Sequence, residues 1–166
     1  MINIKLRVKN LVNKYNTSNP FELTKELGIK VLLLDLPNSI NGFLVRVLRR
    51  KYIILNINLT YQRQKIVLAH ELGHARLHTK YGYYLHADMS YYVPSRREKE
   101  ANEFAIHLLS YSSDLDANLI NKVIKEKNPN PREIHMILSK LMWSIAIYYT
   151  IHKHIFLLER SSLYYV

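Results

Sequence analysis

The sequence predicts an α+β protein, mostly helical, with a small three-stranded sheet ahead of one long helix and a helical C-terminal part. Three observations carry that expectation. Between Thr60 and about Lys80, Ile66, Val67, His70, Gly73, His74 and Leu77 recur at helical intervals with no proline between them. Between Ile29 and Asn56, three short runs rich in β-branched and leucine residues are separated by turn and charge signals. Helix-opening signals recur at Asn19, Pro94, Ser113 and Asn130. With 166 residues, 48% of them hydrophobic and 22% charged, the chain can bury a real core. The expected division is a core over residues 1–112 and a helical segment over residues 113–166 packed on it.

Taken in order, Ile4, Val8, Leu11, Val12 and Tyr15 mark a first amphipathic helix. Asn19-Pro20-Phe21-Glu22 opens a second, with a cap, a proline in the first turn and a carboxylate three residues after the cap, and Gly28 closes it. Ile29 to Leu34 reads as a buried strand. After a Pro37-Asn38 turn, Gly42–Val47 and Tyr52–Asn56 read as two more strands joined by the basic corner Arg49-Arg50-Lys51. That corner either contacts nucleic acid or is a solvated hairpin tip.

Thr60 then caps the long helix, on which His70 and His74 stand one turn apart on one face. Two such imidazoles can share a tetrahedral zinc at about 2.0–2.1 Å each, leaving room for a third protein ligand and a water. Glu71 is rotated about the axis, which suits a base beside the metal rather than a ligand on it. His-Glu-x-x-His on a helix is the pattern of zinc metalloproteases, although two histidines can also be ordinary members of a core face. The chain has no cysteine, so disulfides, thiol catalysis and Cys-ligated zinc are excluded and only His, Asp and Glu remain as zinc ligands.

From Tyr81 to Pro94 periodicity disappears and tyrosines accumulate (Tyr81, Tyr83, Tyr84, Tyr91, Tyr92), with His86 and Asp88 among them. The segment reads as a loop over the site, whose tyrosines either hydrogen-bond an oxyanion or pack at the core edge. Pro94-Ser95-Arg96-Arg97-Glu98 starts another helix, running to about Leu109. On its wheel Ala101, Ala105, Leu108 and Leu109 form the buried face; Glu98 lies closest to that face, Glu100 further round and Glu103 nearly opposite. Glu98 is therefore the candidate third ligand, and Ala101 and Ala105 allow close approach to the histidine helix. Ser95-x-x-Glu98 also fits a capping box, in which Glu98 would turn back to a backbone amide.

These residues carry a resemblance. Val67-Leu68-Ala69-His70-Glu71-Leu72-Gly73-His74, with Leu77-His78 following, and Glu98-Lys99-Glu100-Ala101-Asn102-Glu103-Phe104-Ala105 resemble the paired motifs of the ImmA/IrrE family of zinc metallopeptidases. Pro20-Phe21-Glu22-Leu23, Leu27-Gly28-Ile29, Asn41-Gly42-Phe43 and Ile54-Leu55-Asn56-Ile57-Asn58 resemble its upstream part, so the likeness covers roughly residues 20–110. The resemblance implies a zincin-like core, zinc on His70, His74 and Glu98, and Glu71 as base. It also implies cleavage of a helix-turn-helix transcriptional repressor, derepressing genes of a prophage, another mobile element or a stress response.

Downstream, Ser113 with Asp114 and Asp116 opens a helix carrying Leu115, Leu119, Ile120 and Val123. Asn130-Pro131-Arg132-Glu133 begins another to about Leu141, and Ser144 a further one through Lys153. Two short helices with a tight join either support the core or form a helix-turn-helix that docks DNA or a partner. Ile155-Phe156-Leu157-Leu158 reads as an edge strand or a dimer contact. The net charge of +11 points to an acidic partner, nucleic acid or an anionic surface, or simply to solubility. Met1 to Lys5 lacks a secretory signal, and Leu141–Leu158, broken by His152, Lys153 and His154, falls short of a membrane span; a cytoplasmic location is expected. The competing function is a non-proteolytic module that binds a repressor or DNA, or a toxin-antitoxin component, on the same fold; its action in the cell would survive Glu71→Gln.

Overall fold

The computed structural model describes residues 3–47, 50–78, 83–84, 94–113, 115–125 and 136–137. Helix α1 (Ile4–Tyr15) is capped by the Asn3 side chain, which accepts from the Leu6 amide at 2.9 Å, and buries Ile4, Val8 and Leu11. Asn16, with φ 52°, ends it in the left-handed conformation that asparagine tolerates. In α2 (Pro20–Glu26) Asn19 accepts from the Phe21 amide at 3.1 Å, as the cap signal predicts, while Glu22 meets the Asn19 carboxamide rather than its backbone amide, which donates to the Thr17 hydroxyl at 3.1 Å. Gly28, with φ 64°, turns the chain out of α2 toward the sheet.

The strands are β1 (Lys30–Leu34), β2 (Gly42–Val47) and β3 (Arg50–Asn56), joined by a two-residue β4 (Tyr83–Tyr84). Their order is β1-β3-β2-β4, with β1 parallel to β3, β2 antiparallel to β3 and β4 parallel to β2. The three expected strands are present, and Tyr83–Tyr84, expected in a loop, instead pair with Val45 and Arg46. The expectation of a buried first strand is corrected. β1 is an edge strand, with Leu32 and Leu33 41% and 46% exposed, because it pairs on one side only; Ile29, just before it, supplies the core contact. Asn56 ties the sheet to its connections, donating to the carbonyls of Leu36 and Ile40 at 3.0 Å each and accepting from the Asn58 amide.

Helix α3 (Tyr61–Leu77) begins at Thr60, whose hydroxyl accepts from the Arg63 amide. It is enclosed rather than amphipathic: from Gln64 to Ala75 every residue except His70 is buried. It packs on β2, β3, α2, α5 (Ala117–Lys125) and, above all, α4 (Pro94–Leu109). The α3–α4 pair is antiparallel, with Lys65 bonded to the Ser112 hydroxyl at one end and His78 Nε2 3.2 Å from the Arg97 carbonyl at the other. At the crossing Gly73 lets the helices approach closely: a Cβ there would stand 3.1 Å from both the Cα and the carbonyl oxygen of Ala101.

Lys51 departs from both readings of the basic corner: it lies in β3 and its ammonium donates to the Ala75 carbonyl in the last turn of α3. Its pKa is lowered, first by burial and then by Arg46 and Arg76. Arg49 lies outside the described residues. α5 starts later than expected. Asp116, not Ser113, caps it, accepting from the Asn118 amide at 3.1 Å, and Ile120 and Val123 join the core. The chain forms two compact units, residues 1–129 and 130–166, so α5 belongs to the first. Met136 and Ile137 are helical; the remaining C-terminal elements expected after Pro129 lie outside the described residues. Among the described residues no helix is long and apolar enough to cross a membrane.

Candidate metal centre

On α3 the rings of His70 and His74 meet edge to face, their centroids 4.7 Å apart and their Nε2 atoms 3.1 Å apart. α4 brings Glu98 between them, one carboxylate oxygen 3.3 Å from His70 Nε2 and the other 3.3 Å from His74 Nε2. Two ligands held at about 2.0–2.1 Å on a tetrahedral ion stand about 3.3–3.4 Å apart. The two imidazole nitrogens, 3.1 Å apart, match one edge of such a tetrahedron to a few tenths of an ångström, and each has a different Glu98 oxygen 3.3 Å away. Two nitrogens and one carboxylate, gathered where water has little access, are a donor set that fits a divalent metal.

Electrostatics separates the roles of the two carboxylates. Glu71 is 8% exposed, and burial, reinforced by the charge of Glu98, pushes its pKa up to about 7 against the opposing pull of His70 and a hydrogen bond from the Leu44 backbone. A carboxyl poised there can both take and return a proton near neutral pH. Burial also dominates at His74, whose pKa is pushed down to about 4, so the ring is neutral and able to ligate. At His70 burial is again the largest single influence and opposes charge, but the hydrogen bond of Glu98 and the charges of Glu71 and Glu98 help to outweigh it and raise the pKa.

The family description Peptidase_M78, IrrE N-terminal-like domain, matches residues 24–124. The chain belongs to this family. It is 40% identical over 106 residues to uncharacterized immunity region protein 2 of Bacillus phage phi105, a match covering 64% of this chain and 67% of that one. It is 30% identical over 106 residues to metallopeptidase ImmA of Bacillus subtilis (strain 168), covering 64% of this chain and 62% of that one. The match thus spans about two thirds of each of these relatives. No solved structure matches the chain.

Within this Peptidase_M78 chain, the four residues singled out from the sequence, His70, Glu71, His74 and Glu98, lie together. Both oxygens of Glu98 stand at imidazole nitrogens. Glu100 instead bonds Arg96 at 2.8 Å and stands 3.7 Å from His78, and Glu103 is 53% exposed beside His107. The Leu44 backbone contact to Glu71 was not anticipated, and a main-chain donor leaves no signal in residue identity. Of the tyrosine-rich segment, Tyr81, Tyr91, Tyr92, His86 and Asp88 lie outside the described residues, as does the side chain of Ser95.

Proposed function

We propose that this chain is a zinc-dependent endopeptidase, and that its substrate is a helix-turn-helix transcriptional repressor whose cleavage releases the genes of a mobile element. The observation that carries the reading is the placement of Glu98 across both histidines, an oxygen 3.3 Å from each Nε2, with buried Glu71 next to His70. Family membership supports peptidase chemistry, and the names of the two relatives, an immunity region protein and a metallopeptidase, support a setting of phage immunity. His70, His74 and Glu98 would hold the ion. When bound, zinc supplies Lewis acidity, polarising the scissile carbonyl and lowering the pKa of water at the site. Glu71 would accept the proton of the attacking water and pass it to the departing amine. The enclosed α3 backbone holds these side chains on a rigid element, so little reorganisation accompanies reaction.

The test is to incubate the purified protein, with zinc, with a helix-turn-helix repressor from the same genome and to follow the repressor by intact-mass spectrometry. Cleavage by wild type and none by Glu71→Gln, with zinc retained, is the expected result. An uncut repressor that is nevertheless inactivated equally by both proteins would replace the peptidase with a binding module.

A further inference from the structure

The α3–α4 crossing holds two buried polar atoms that the chemistry above does not use. His70 Nδ1, the ring nitrogen facing away from Glu98, and Asn102 Oδ1 are both inaccessible to solvent, and neither has a hydrogen-bond partner among the described residues. A buried polar atom left in that state is costly, since it has given up water without gaining a partner. The fold places the two at one level. α3 and α4 run antiparallel, as the contacts Lys65–Ser112, Gly73–Ala101 and His78–Arg97 show. Asn102 therefore stands one turn beyond Glu98 on the same side of α4, as His70 stands one turn before His74 on α3. The two atoms are also chemically complementary. The carboxamide oxygen only accepts, and Nδ1 donates when it carries the ring proton.

We infer that Asn102 is a positioning residue, its Oδ1 accepting from Nδ1–H of His70 and so fixing the tautomer that turns the Nε2 lone pair toward Glu98 and the ion. A ligating histidine whose second nitrogen is anchored in this way keeps its orientation and gains basicity, and loss of such an anchor typically weakens metal binding 10–100-fold. The same bond explains why the position after Ala101 carries a carboxamide in a helix whose neighbours there, Ala101, Phe104 and Ala105, are apolar and buried. The inference rests on the reading of His70 as a zinc ligand, but its first test needs no metal.

Metal-free protein labelled with 15N is examined by NMR at about pH 9, where imidazoles are neutral, with the His70 signals assigned by their loss in His70→Gln. Wild type is expected to carry the proton on Nδ1 and Asn102→Leu to shift it toward Nε2; a wild-type ring protonated on Nε2 overturns the inference. Zinc dissociation constants by chelator competition follow, on variants whose folding is checked by circular dichroism. Asn102→Leu should bind about 10–100-fold more weakly and Asn102→Asp, which keeps an acceptor, within about threefold of wild type or tighter. Equal affinity in Asn102→Leu, or equal weakness in Asn102→Asp, would show a packing role only and overturn it. A wild type that takes up no zinc would refute the metal reading instead, while the His70 tautomer would still decide the hydrogen bond.

Discussion

On its sheet side α3 meets β2 so closely that a Cβ at Gly42 would stand 2.9 Å from Val67 Cγ1 and 2.8 Å from the Ile54 carbonyl. On its α4 side the same helix presents His70 and His74 to Glu98 at 3.3 Å each. The first contact is steric and mostly apolar, the kind of packing that stabilises a core. The second gathers ionisable groups where hydration is poor, which costs free energy unless they are paired or hold an ion. One enclosed helix thus divides its labour. Its sheet side keeps the fold, and its α4 side carries a cost that pairing with Glu98 offsets in part.

Changes on the two sides should therefore be separable. The largest effect is expected at Glu71→Gln, which should slow repressor cleavage by about 10²–10⁴-fold while leaving zinc content and thermal stability near wild type. Wild-type turnover in that variant would show that the proton passes elsewhere.

Next is the pH dependence of the metal-free protein. The folded state holds Glu71 at about 7 against an ordinary 4.5, so between those values the unfolded chain releases a proton that the folded chain keeps. Stability from this group is therefore fullest below about 4.5 and falls as pH rises through about 7, by about 3 kcal/mol at most. Denaturant midpoints in EDTA at acid and mildly alkaline pH should fall less in Glu71→Gln than in wild type. Parallel falls would place the pH sensitivity at other groups.

On the sheet side Gly42→Ala forces a Cβ against the Ile54 carbonyl and should cost about 1–3 kcal/mol without changing zinc stoichiometry. Gly73→Ala, sterically milder and directed at Ala101, should also weaken zinc by prising α4, and with it Glu98, from the histidines. If both substitutions left zinc affinity alike, the division between the two sides would fail. The smallest effect belongs to exposed Glu103, where substitution by Gln should change stability by less than about 0.5 kcal/mol and zinc not at all.

Where the sequence was most legible, one helix carried the information. Helical geometry alone ranked Glu98, Glu100 and Glu103 by their distance from the buried face, and the structure keeps that ranking. Asn19 and Thr60 were readable as caps because a local side chain meets a local amide. Features that depend on distant partners were not readable. Leu32 and Leu33 look like core residues by type and are exposed because β1 has one neighbour strand. Lys51 looks like a hairpin tip and instead bonds a carbonyl twenty-four positions away. At α5 several adjacent residues can cap, and local pattern did not select Asp116 among them.

The most direct test is zinc per chain, measured by metal mass spectrometry on wild type and Glu98→Ala purified without chelator. About one zinc in wild type and far less in the variant is the expected result for a site completed by α4. A wild type that stays empty after zinc is added, or a Glu98→Ala protein that holds zinc as tightly as wild type, would contradict it.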